Sequence, residues 1–318
     1  MAWLKPTTEQ VQAALGQYAP WLADEPIAVL SEGWEFWAFT AGDHVLRFPK
    51  NEHSVGSLRI DRALLPGLRT HLTSPVPEID VWGDDGPSGA PFAGHPLLPG
   101  TPVWPTGGRA GQALLGLAPA LGPDFGRDFG LLLRELHTFP VPEAASAGVP
   151  LRKSGTVLMR RIEQYEQVVR RVFPLVSCEA RTFIEGMYSR AISEPAYYDA
   201  PPCLTHGDLD VNTLVDDAGR LSGVIDFGQA FVGSRAIDFW LPVYGFQRLG
   251  IGDQTQACLD EAGMGDQEMA QLLPELEFIN FVYPLLDILY GLDTDAPDYV
   301  EGGILDLNAL VPFGIECA

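Results

Sequence analysis

One short segment in the second half of the chain constrains its fold more than any other part. It begins with His206-Gly207-Asp208, reaches Asn212 shortly after, and closes with Ile225-Asp226-Phe227-Gly228. Residues 213–224, between these motifs, have apolar stretches on both sides of a polar turn, which predicts a β-hairpin. Each motif alone is a weak signal, but the two in this order, joined by a hairpin, indicate a single active site.

The residue types in this segment are those of a phosphoryl-transfer site. Asp208 is the candidate general base, which would position an acceptor hydroxyl for in-line attack and accept its proton. Asn212 and Asp226 offer the hard oxygen ligands that Mg²⁺ prefers and would hold it on nucleotide phosphates. For Asp208 the alternative is an ordinary turn position, which the flanking pattern disfavours.

Two further residues of the segment are expected to support the loop rather than to react. His206 would pack beneath the loop and hydrogen-bond its backbone. Asp238 lies among apolar residues just after the second motif, so its carboxylate would accept backbone N–H groups of the loop.

Composition and charge limit the class of protein. A length of 318 residues suggests two domains or lobes, and a net charge of −22 argues against nucleic acid and anionic membranes as partners. Such a surface would attract a cationic small molecule, or it serves solubility alone. The chain has no apolar run that would span a membrane and no secretory signal. We therefore expect a cytoplasmic protein whose four cysteines are free thiols, with one disulfide left open.

The order of the predicted elements indicates an α+β fold with two lobes. Short strand patterns dominate the first third, and apolar residues at helical spacing dominate the rest. We place a small β-rich N-terminal lobe at residues 1–96 and a larger, mainly helical C-terminal lobe at 97–318. Apolar spacing predicts helices at 58–68, 236–249 and 267–292. We expect the first to end early at Pro66 and the third to be interrupted at Pro274 and Pro284.

The segment from Leu204 to Trp240 resembles the aminoglycoside phosphotransferase family, a branch of the protein-kinase-like fold. Members carry His-Gly-Asp in the loop and Ile-Asp-Phe-Gly or Ile-Asp-Trp in the metal motif. Further upstream, residues 31–34 resemble the family's nucleotide loop, 44–49 its third strand, 97–100 the segment after the interlobe hinge, and 133–137 the first long helix of the C-terminal lobe.

This resemblance implies a two-lobed kinase-like fold, with a nucleotide-binding lobe at 1–96 and a catalytic and acceptor-binding lobe at 97–318. It implies Mg²⁺-dependent transfer of the γ-phosphate of ATP or GTP to a hydroxyl of a small molecule, aminoglycoside-like antibiotics included. Within the nucleotide site, Arg47 would clamp the phosphates with support from Asp61, and the donor would lie against Ser31, Gly33 and Leu97.

Three features depart from the family pattern. Only three residues separate Asp208 from Asn212, where members usually have four, which removes up to about 3.8 Å of chain. Either the loop is drawn tighter, or Asp210 takes over the metal contact. The third-strand cation is Arg47, expected to pair with Asp61, where many kinases pair a lysine with a glutamate. Because the longer arginine meets the shorter aspartate, the distance spanned by the pair is similar. Lys50 is the alternative cation, and Gly33 is the single glycine of the nucleotide loop.

The acceptor is the part that the sequence determines least, because the family includes kinases of choline, sugars, amino-acid derivatives and antibiotics. Six acidic residues near the C-terminus would either bind amines or form a solvated loop: Asp287, Asp293, Asp295, Asp298, Glu301 and Asp306. The competing hypothesis is a catalytically degenerate protein that binds a nucleotide or another ligand, with the shortened loop as its sign.

Overall fold

The structure, a computed structural model, describes residues 3–33, 35–104, 119–194 and 201–312. Trp34 of the predicted nucleotide loop lies outside these ranges. The described residues form a small lobe built on one antiparallel sheet and a larger lobe of helices, so the predicted α+β fold is confirmed. No helix within the described ranges is long and apolar enough to cross a membrane.

The N-terminal lobe is a five-stranded antiparallel sheet with the strand order β1-β2-β3-β5-β4. Its core contains several buried aromatic rings, of which Phe48 and Phe92 stack with their centroids 4.9 Å apart. The first helix begins with a capping box formed by Thr7 and Gln10. The elements are α1 (Thr8–Tyr18), β1 (Ile27–Glu32), β2 (Phe36–Ala41), β3 (His44–Pro49), α2 (Glu52–His71), β4 (Val81–Gly83) and β5 (Phe92–Pro96).

Helix α2 is longer than the sequence predicts. The expected stop at Pro66 is wrong, because the helix continues through this proline to His71. An interior proline costs about 3 kcal/mol. Burial of Leu64, Leu65 and Leu68 offsets this cost, since each fully buried leucine contributes roughly 1.5–3 kcal/mol. The same buried face of α2 carries Asp61.

The C-terminal lobe is mainly helical and has two small sheets, in the orders β6-β8-β9 and β10-β7. Its helices are α3 (Phe125–Thr138), α4 (Val141–Ser146), α5 (Ser154–Arg171), α6 (Cys178–Ser193), α7 (Leu209–Asn212), α8 (Phe246–Arg248), α9 (Thr255–Glu261), α10 (Asp266–Thr294) and α11 (Pro297–Leu310). Its strands are β6 (Thr101–Pro102), β7 (Cys203–Thr205), β8 (Thr213–Val215), β9 (Leu221–Val224) and β10 (Phe231–Gly233).

Two helix predictions in this lobe are wrong. The segment 236–249 is not one helix but a 3₁₀ turn (Arg235–Phe239), a π turn (Leu241–Gly245) and the short α8. Pro242 lacks the N–H that a continuous α-helix needs at this point. Conversely, α10 runs for 29 residues through both of its prolines, because it packs along α11 and contributes to both cores of the lobe.

The chain leaves the first sheet close to the predicted boundary between the lobes. Strand β5 ends at Pro96, and β6 already pairs with β8, with Thr101 opposite Val215. The division at residues 96 and 97 stays a prediction. Of the cysteines, Cys203 and Cys258 are free thiols, whereas Cys178 takes part in a disulfide.

Candidate active site

The loop after β7 turns sharply at Gly207. This residue has a φ of 86°, and a Cβ there would lie 3.1 Å from the Gln229 carbonyl oxygen and 3.2 Å from the Phe231 ring. Glycine is therefore the residue that both the backbone conformation and the space favour. The turn ends at Asp208, directly before the single-turn helix α7.

Asp238 holds this turn from below through its buried carboxylate. Its Oδ2 accepts the N–H of His206 at 3.0 Å, and its Oδ1 accepts the N–H of Gly207 at 2.9 Å. The ring of His137 on α3 lies 3.0 Å from the same Oδ2. Asp238 thus makes the backbone contacts that the sequence predicts for it. His137 is a further contributor that no local sequence pattern indicates.

His206 connects the two predicted motifs. Its Nε2–H donates to the Ile225 carbonyl at 2.9 Å, and its Nδ1 accepts the N–H of Asp208 at 3.2 Å. Complete burial lowers the pKa of His206, although the nearby Asp238 opposes the shift, so the imidazole is neutral at pH 7. A neutral ring with its proton on Nε2 is the form that makes both contacts.

Asn212 lies directly against Asp208 despite the shortened spacing. Its amide nitrogen donates to the Asp208 carbonyl at 2.8 Å and to the Asp208 carboxylate at 3.0 Å. The intervening residues form one helical turn, which places the two residues at i and i+4. Because the nitrogen makes both contacts, the amide oxygen remains to accept from another partner or to bind a cation. In Asp210, the predicted alternative, Oδ1 accepts the N–H of Val211 at 2.9 Å.

Arg47 of β3 joins Asp61 of α2 to Asp226 of the metal motif. Its Nη1 donates to Asp61 Oδ2 at 2.5 Å, and its Nη2 donates to Asp226 Oδ1 at 2.7 Å. The guanidinium also lies 4.1 Å from the centroid of the Phe36 ring. Lys50, the alternative cation, lies instead 5.6 Å from the ring of Trp37. The structure thus brings the predicted pair together and adds a second carboxylate.

The two carboxylates around Arg47 differ in exposure. Asp61 is 1 % exposed, and its Oδ1 has no hydrogen-bond partner among the described residues. Burial raises the pKa of Asp61 to about 7, with Arg47 opposing the shift and Asp226 adding to it. The Asp226 side chain is 40 % exposed. Burial alone lowers the pKa of Arg47, but Asp226 and Asp61 more than reverse this and raise it above its usual value.

Asp226 has a φ of 59° and a ψ of 69°, the left-handed region that non-glycine residues rarely adopt. Strained backbone of this kind is concentrated at functional sites. Two residues later, a Cβ at Gly228 would lie 2.7 Å from the Cβ of Ser57. Glycine therefore lets α2 approach the metal motif closely, which brings Asp61 within reach of Arg47.

The other predicted nucleotide residues lie at the surface. Ser31 and Gly33 are exposed at the end of β1, and a Cβ at Gly33 would meet only the Phe36 carbonyl, at 3.7 Å. Leu97 is 54 % exposed, and its N–H donates to the Asp43 carbonyl at 2.7 Å. None of these contacts links the three residues to Arg47, so their part in nucleotide binding stays a prediction.

One contact across the lobes was missed by sequence reasoning. Glu35 Oε1 accepts from Gln229 Nε2 at 2.6 Å and lies 3.3 Å from His53 Nε2. Glu35 follows the nucleotide loop, and Gln229 directly follows the metal motif. The partners are 194 positions apart, so no local pattern could have indicated the contact.

The acidic residues near the C-terminus lie on α10 and α11 or at the end of α10 instead of in a loop, and four of the six are exposed. Asp293 pairs with Arg171 at 2.7 Å, and Asp287 is buried in α10. Burial raises the pKa of Asp306, with Arg248 opposing the shift. The remaining three, Asp295, Asp298 and Glu301, lie at the end of α10 or in the first half of α11.

Comparison with known proteins assigns this chain to a family. The model of the phosphotransferase enzyme family (APH) matches residues 26–274. The GDP and kanamycin complex of APH(2")-IIIa has a TM-score of 0.77 and 25% identity, covering 94% of this chain and 97% of that one.

Two further proteins are similar over most of their length. Macrolide 2'-phosphotransferase MphH from Brachybacterium faecium has a TM-score of 0.63 and 22% identity, covering 93% of this chain and 98% of that one. The uncharacterized protein YcbJ of Bacillus subtilis (strain 168) is 24% identical over 263 residues, which is 81% of this chain and 80% of that protein. Since the family model covers most of the chain, this protein belongs to the phosphotransferase enzyme family.

Proposed function

We propose that this protein transfers the γ-phosphate of ATP or GTP to a hydroxyl group of a small molecule, with Mg²⁺ as cofactor. One observation carries the proposal: Asn212 bonds both the carbonyl and the carboxylate of Asp208, although the loop lacks one residue. The shortened loop thus keeps the base and the metal ligand side by side. This contact supports an active enzyme over a degenerate one.

The residues present fit a magnesium ion. Mg²⁺ is usually bound by one or two protein carboxylates or carbonyls, with phosphate oxygens and water completing its coordination. Asn212 Oδ1 and the partly exposed carboxylate of Asp226 are the two protein ligands that we assign. No cluster of three or more His, Cys, Asp or Glu residues that would hold a metal without a nucleotide occurs in the described ranges. When bound, the ion would neutralise charge on the β- and γ-phosphates.

Arg47 is the phosphate clamp. Asp61 fixes one of its guanidinium nitrogens, so the second, which bonds Asp226 here, is aimed at the part of the cleft where the metal-bound phosphates would lie. A guanidinium presents its donors in a planar fork that matches phosphate oxygens. Its pKa keeps it charged at every physiological pH.

Asp208 is the base that positions the acceptor hydroxyl. The Asn212 amide orients its carboxylate, and the His206–Asp238 contacts fix its backbone. Catalysis of phosphoryl transfer depends mainly on position and charge neutralisation, and a well-placed base contributes typically 10²–10⁴-fold. Two of the similar solved structures hold a nucleotide together with an aminoglycoside, GDP and kanamycin in one and ATP and streptomycin in the other. They support a nucleotide donor and a small-molecule acceptor.

The test is Asp208→Asn, with Asp217→Asn as the matched control in the exposed hairpin turn. We expect Asp208→Asn to lower the acceptor-dependent turnover of MgATP or MgGTP by about 10²-fold or more. Nucleotide affinity should change less than about threefold, because Asp208 does not bind the metal. Asp217→Asn should retain both properties. Wild-type turnover in the Asp208→Asn variant would exclude the assigned role, and metal-independent nucleotide binding without any turnover would favour the degenerate protein.

A further inference from the structure

The chain carries a basic region between positions 152 and 193, although its net charge is strongly negative. Between positions 152 and 193 lie eight of its 20 lysines and arginines, but only four of its 42 acidic residues. This region comprises α5 and α6 and begins at Arg152. Its charge is opposite to that of the molecule as a whole, so the potential here differs from what the net charge suggests.

The first residue of the basic region lies next to the catalytic loop. Leu151 forms a parallel bridge with Val232 of β10, and the N–H of Arg152 donates to the Val232 carbonyl at 2.9 Å. The Arg152 guanidinium stacks on the Phe231 ring, 3.4 Å from its centroid. The same ring lies next to Gly207, the residue before Asp208, since a Cβ added at Gly207 would be 3.2 Å from it. One aromatic ring therefore separates the Arg152 charge from the catalytic loop.

Arg152 is a half-buried cation with no carboxylate partner. It forms no ion pair within 4.0 Å in the described ranges. Burial and then the nearby Arg160 lower the pKa of Arg152 to about 10, with Asp238, Glu275 and Tyr283 acting in the opposite direction. A cation that a strongly acidic chain keeps desolvated and unpaired beside a catalytic loop is a candidate functional group.

The carboxylates closest to Arg152 are engaged elsewhere. Asp238 accepts the two N–H groups of the catalytic loop, and Glu275 accepts the Ser234 hydroxyl at 2.5 Å. Glu275 also lies 3.7 Å from Arg161, whose guanidinium donates to the Ala191 carbonyl and stacks on Phe278. Arg161 is thus fixed by polar contacts of the core. Arg152 instead has an aromatic ring on one face and keeps its N–H donors for a ligand.

We propose that the acceptor carries an anionic group, a carboxylate or a phosphate, which Arg152 binds while the acceptor hydroxyl lies against Asp208. This inference rests on the proposed phosphotransfer. Arginine suits the role because its fork makes two parallel bonds to a carboxylate or phosphate. A polycationic acceptor would be repelled by Arg152 and by Arg160, whose charge acts on Arg152.

The first experiment compares acceptors that differ in charge. Glucose, gluconate and glucosamine offer similar hydroxyl groups on a neutral, an anionic and a cationic molecule, and glycerol with glycerate forms a smaller pair. Each is tested for phosphorylation and for competition with phosphorylation of the others. We expect the anionic member to have the lowest KM or inhibition constant of each set, by about tenfold, since one desolvated charge pair is worth that much.

The second experiment changes Arg152. Arg152→Gln should raise the ratio of the KM for the anionic acceptor to the KM for the neutral acceptor about tenfold. Arg152→Lys should restore part of the preference for the anionic acceptor. Arg181→Gln, which removes an exposed charge from α6, is the control and should leave the ratio unchanged. Thermal unfolding of each variant distinguishes a lost contact from a lost fold. A purely structural Arg152 would lower stability without changing the ratio.

The outcomes separate this inference from the proposed function. If the wild type neither binds nor hydrolyses magnesium nucleotide, the proposed function fails and this inference fails with it. If the wild type binds and hydrolyses magnesium nucleotide but the charge of the acceptor makes no difference, only the inference of an anionic acceptor is refuted. The same conclusion holds if none of the compounds is phosphorylated. Preference for glucosamine, or an unchanged ratio in Arg152→Gln, would also overturn it.

Discussion

At the scale of the residue, one guanidinium group holds three distant parts of the chain together. Arg47 contacts Asp61, 14 positions away, and Asp226, 179 positions away. The first contact could be predicted, because a cation in the third strand and a carboxylate in the next helix are a recognisable pair. The second contact depends on how the lobes close on each other, and no local pattern contains that information.

The pair can be tested as a unit. Arg47→Lys replaces a fork by a single ammonium group, so we expect magnesium-nucleotide affinity to fall about tenfold. Asp61→Glu alone should also weaken binding, because the longer acid is forced into a fully buried site. The double variant Arg47→Lys/Asp61→Glu combines a shorter cation with a longer acid, so the distance that the pair spans is restored. Its affinity for the magnesium nucleotide should therefore be higher than the two single losses multiplied together predict. Calorimetric titration of all four proteins measures this coupling, and strictly additive effects would show that the pair is not compensated.

At the scale of the element, the catalytic loop and the metal motif behave as one piece. His206 ties the loop to Ile225, Asp238 ties it to the 3₁₀ turn after β10, and Asn212 closes α7 onto Asp208. The shortened spacing forms one helical turn, which keeps Asn212 in contact with Asp208. Sequence reasoning left open a tighter loop and the transfer of the metal contact to another residue, since chain reach alone does not distinguish them.

Because His206 is buried as a neutral imidazole, the stability of the protein is expected to decrease at acidic pH. Burial lowers the pKa of His206 below its usual value of 6.5, so the unfolded chain takes up a proton before the folded protein does. The stability that this residue contributes is present above pH 6.5 and is lost as the pH falls below it. Between pH 7.5 and 5.5, we therefore expect the contribution of this group to the free energy of unfolding to decrease.

Urea unfolding at both pH values measures this loss. In His206→Gln the dependence on pH should be weaker, although the variant is less stable throughout because both ring contacts are altered. His53→Gln, which removes a mainly exposed histidine, should keep the wild-type dependence. The same slope in His206→Gln as in the wild type would assign the effect to other groups.

Helix ends were the least predictable elements. Pro66, Pro274 and Pro284 predicted breaks, yet α2 and α10 continue through them. A proline removes one hydrogen bond locally, whereas the buried faces of these helices gain contacts from parts of the chain that lie far away in the sequence. At Pro242 the surrounding helix does give way to a π turn. Local propensity alone could not distinguish these cases.

At the scale of the whole molecule, the α+β fold with its β-rich and helical parts could be predicted from the sequence, whereas the catalytic role of the segment from His206 to Gly228 stays a prediction. The order of strand and helix patterns indicates the lobes, and the spacing of the two motifs indicates the site. The distribution of charge is different. The net charge of −22 suggests a preference for cations, whereas Arg152, the first residue of the basic region, stacks on Phe231 near the loop. The net charge of a chain does not show where its individual charges lie.

The central claim is that Asn212 and Asp226 hold a magnesium ion on the phosphates of a nucleotide. Calorimetric titration of ATP and of GTP, each with and without Mg²⁺, tests it most directly, with Asp226→Asn as the companion variant. We predict that Mg²⁺ tightens binding of at least one nucleotide by tenfold or more, which is about 1.4 kcal/mol, and that the variant loses this gain. Equal affinity with and without Mg²⁺, or no binding of either nucleotide, would contradict the account.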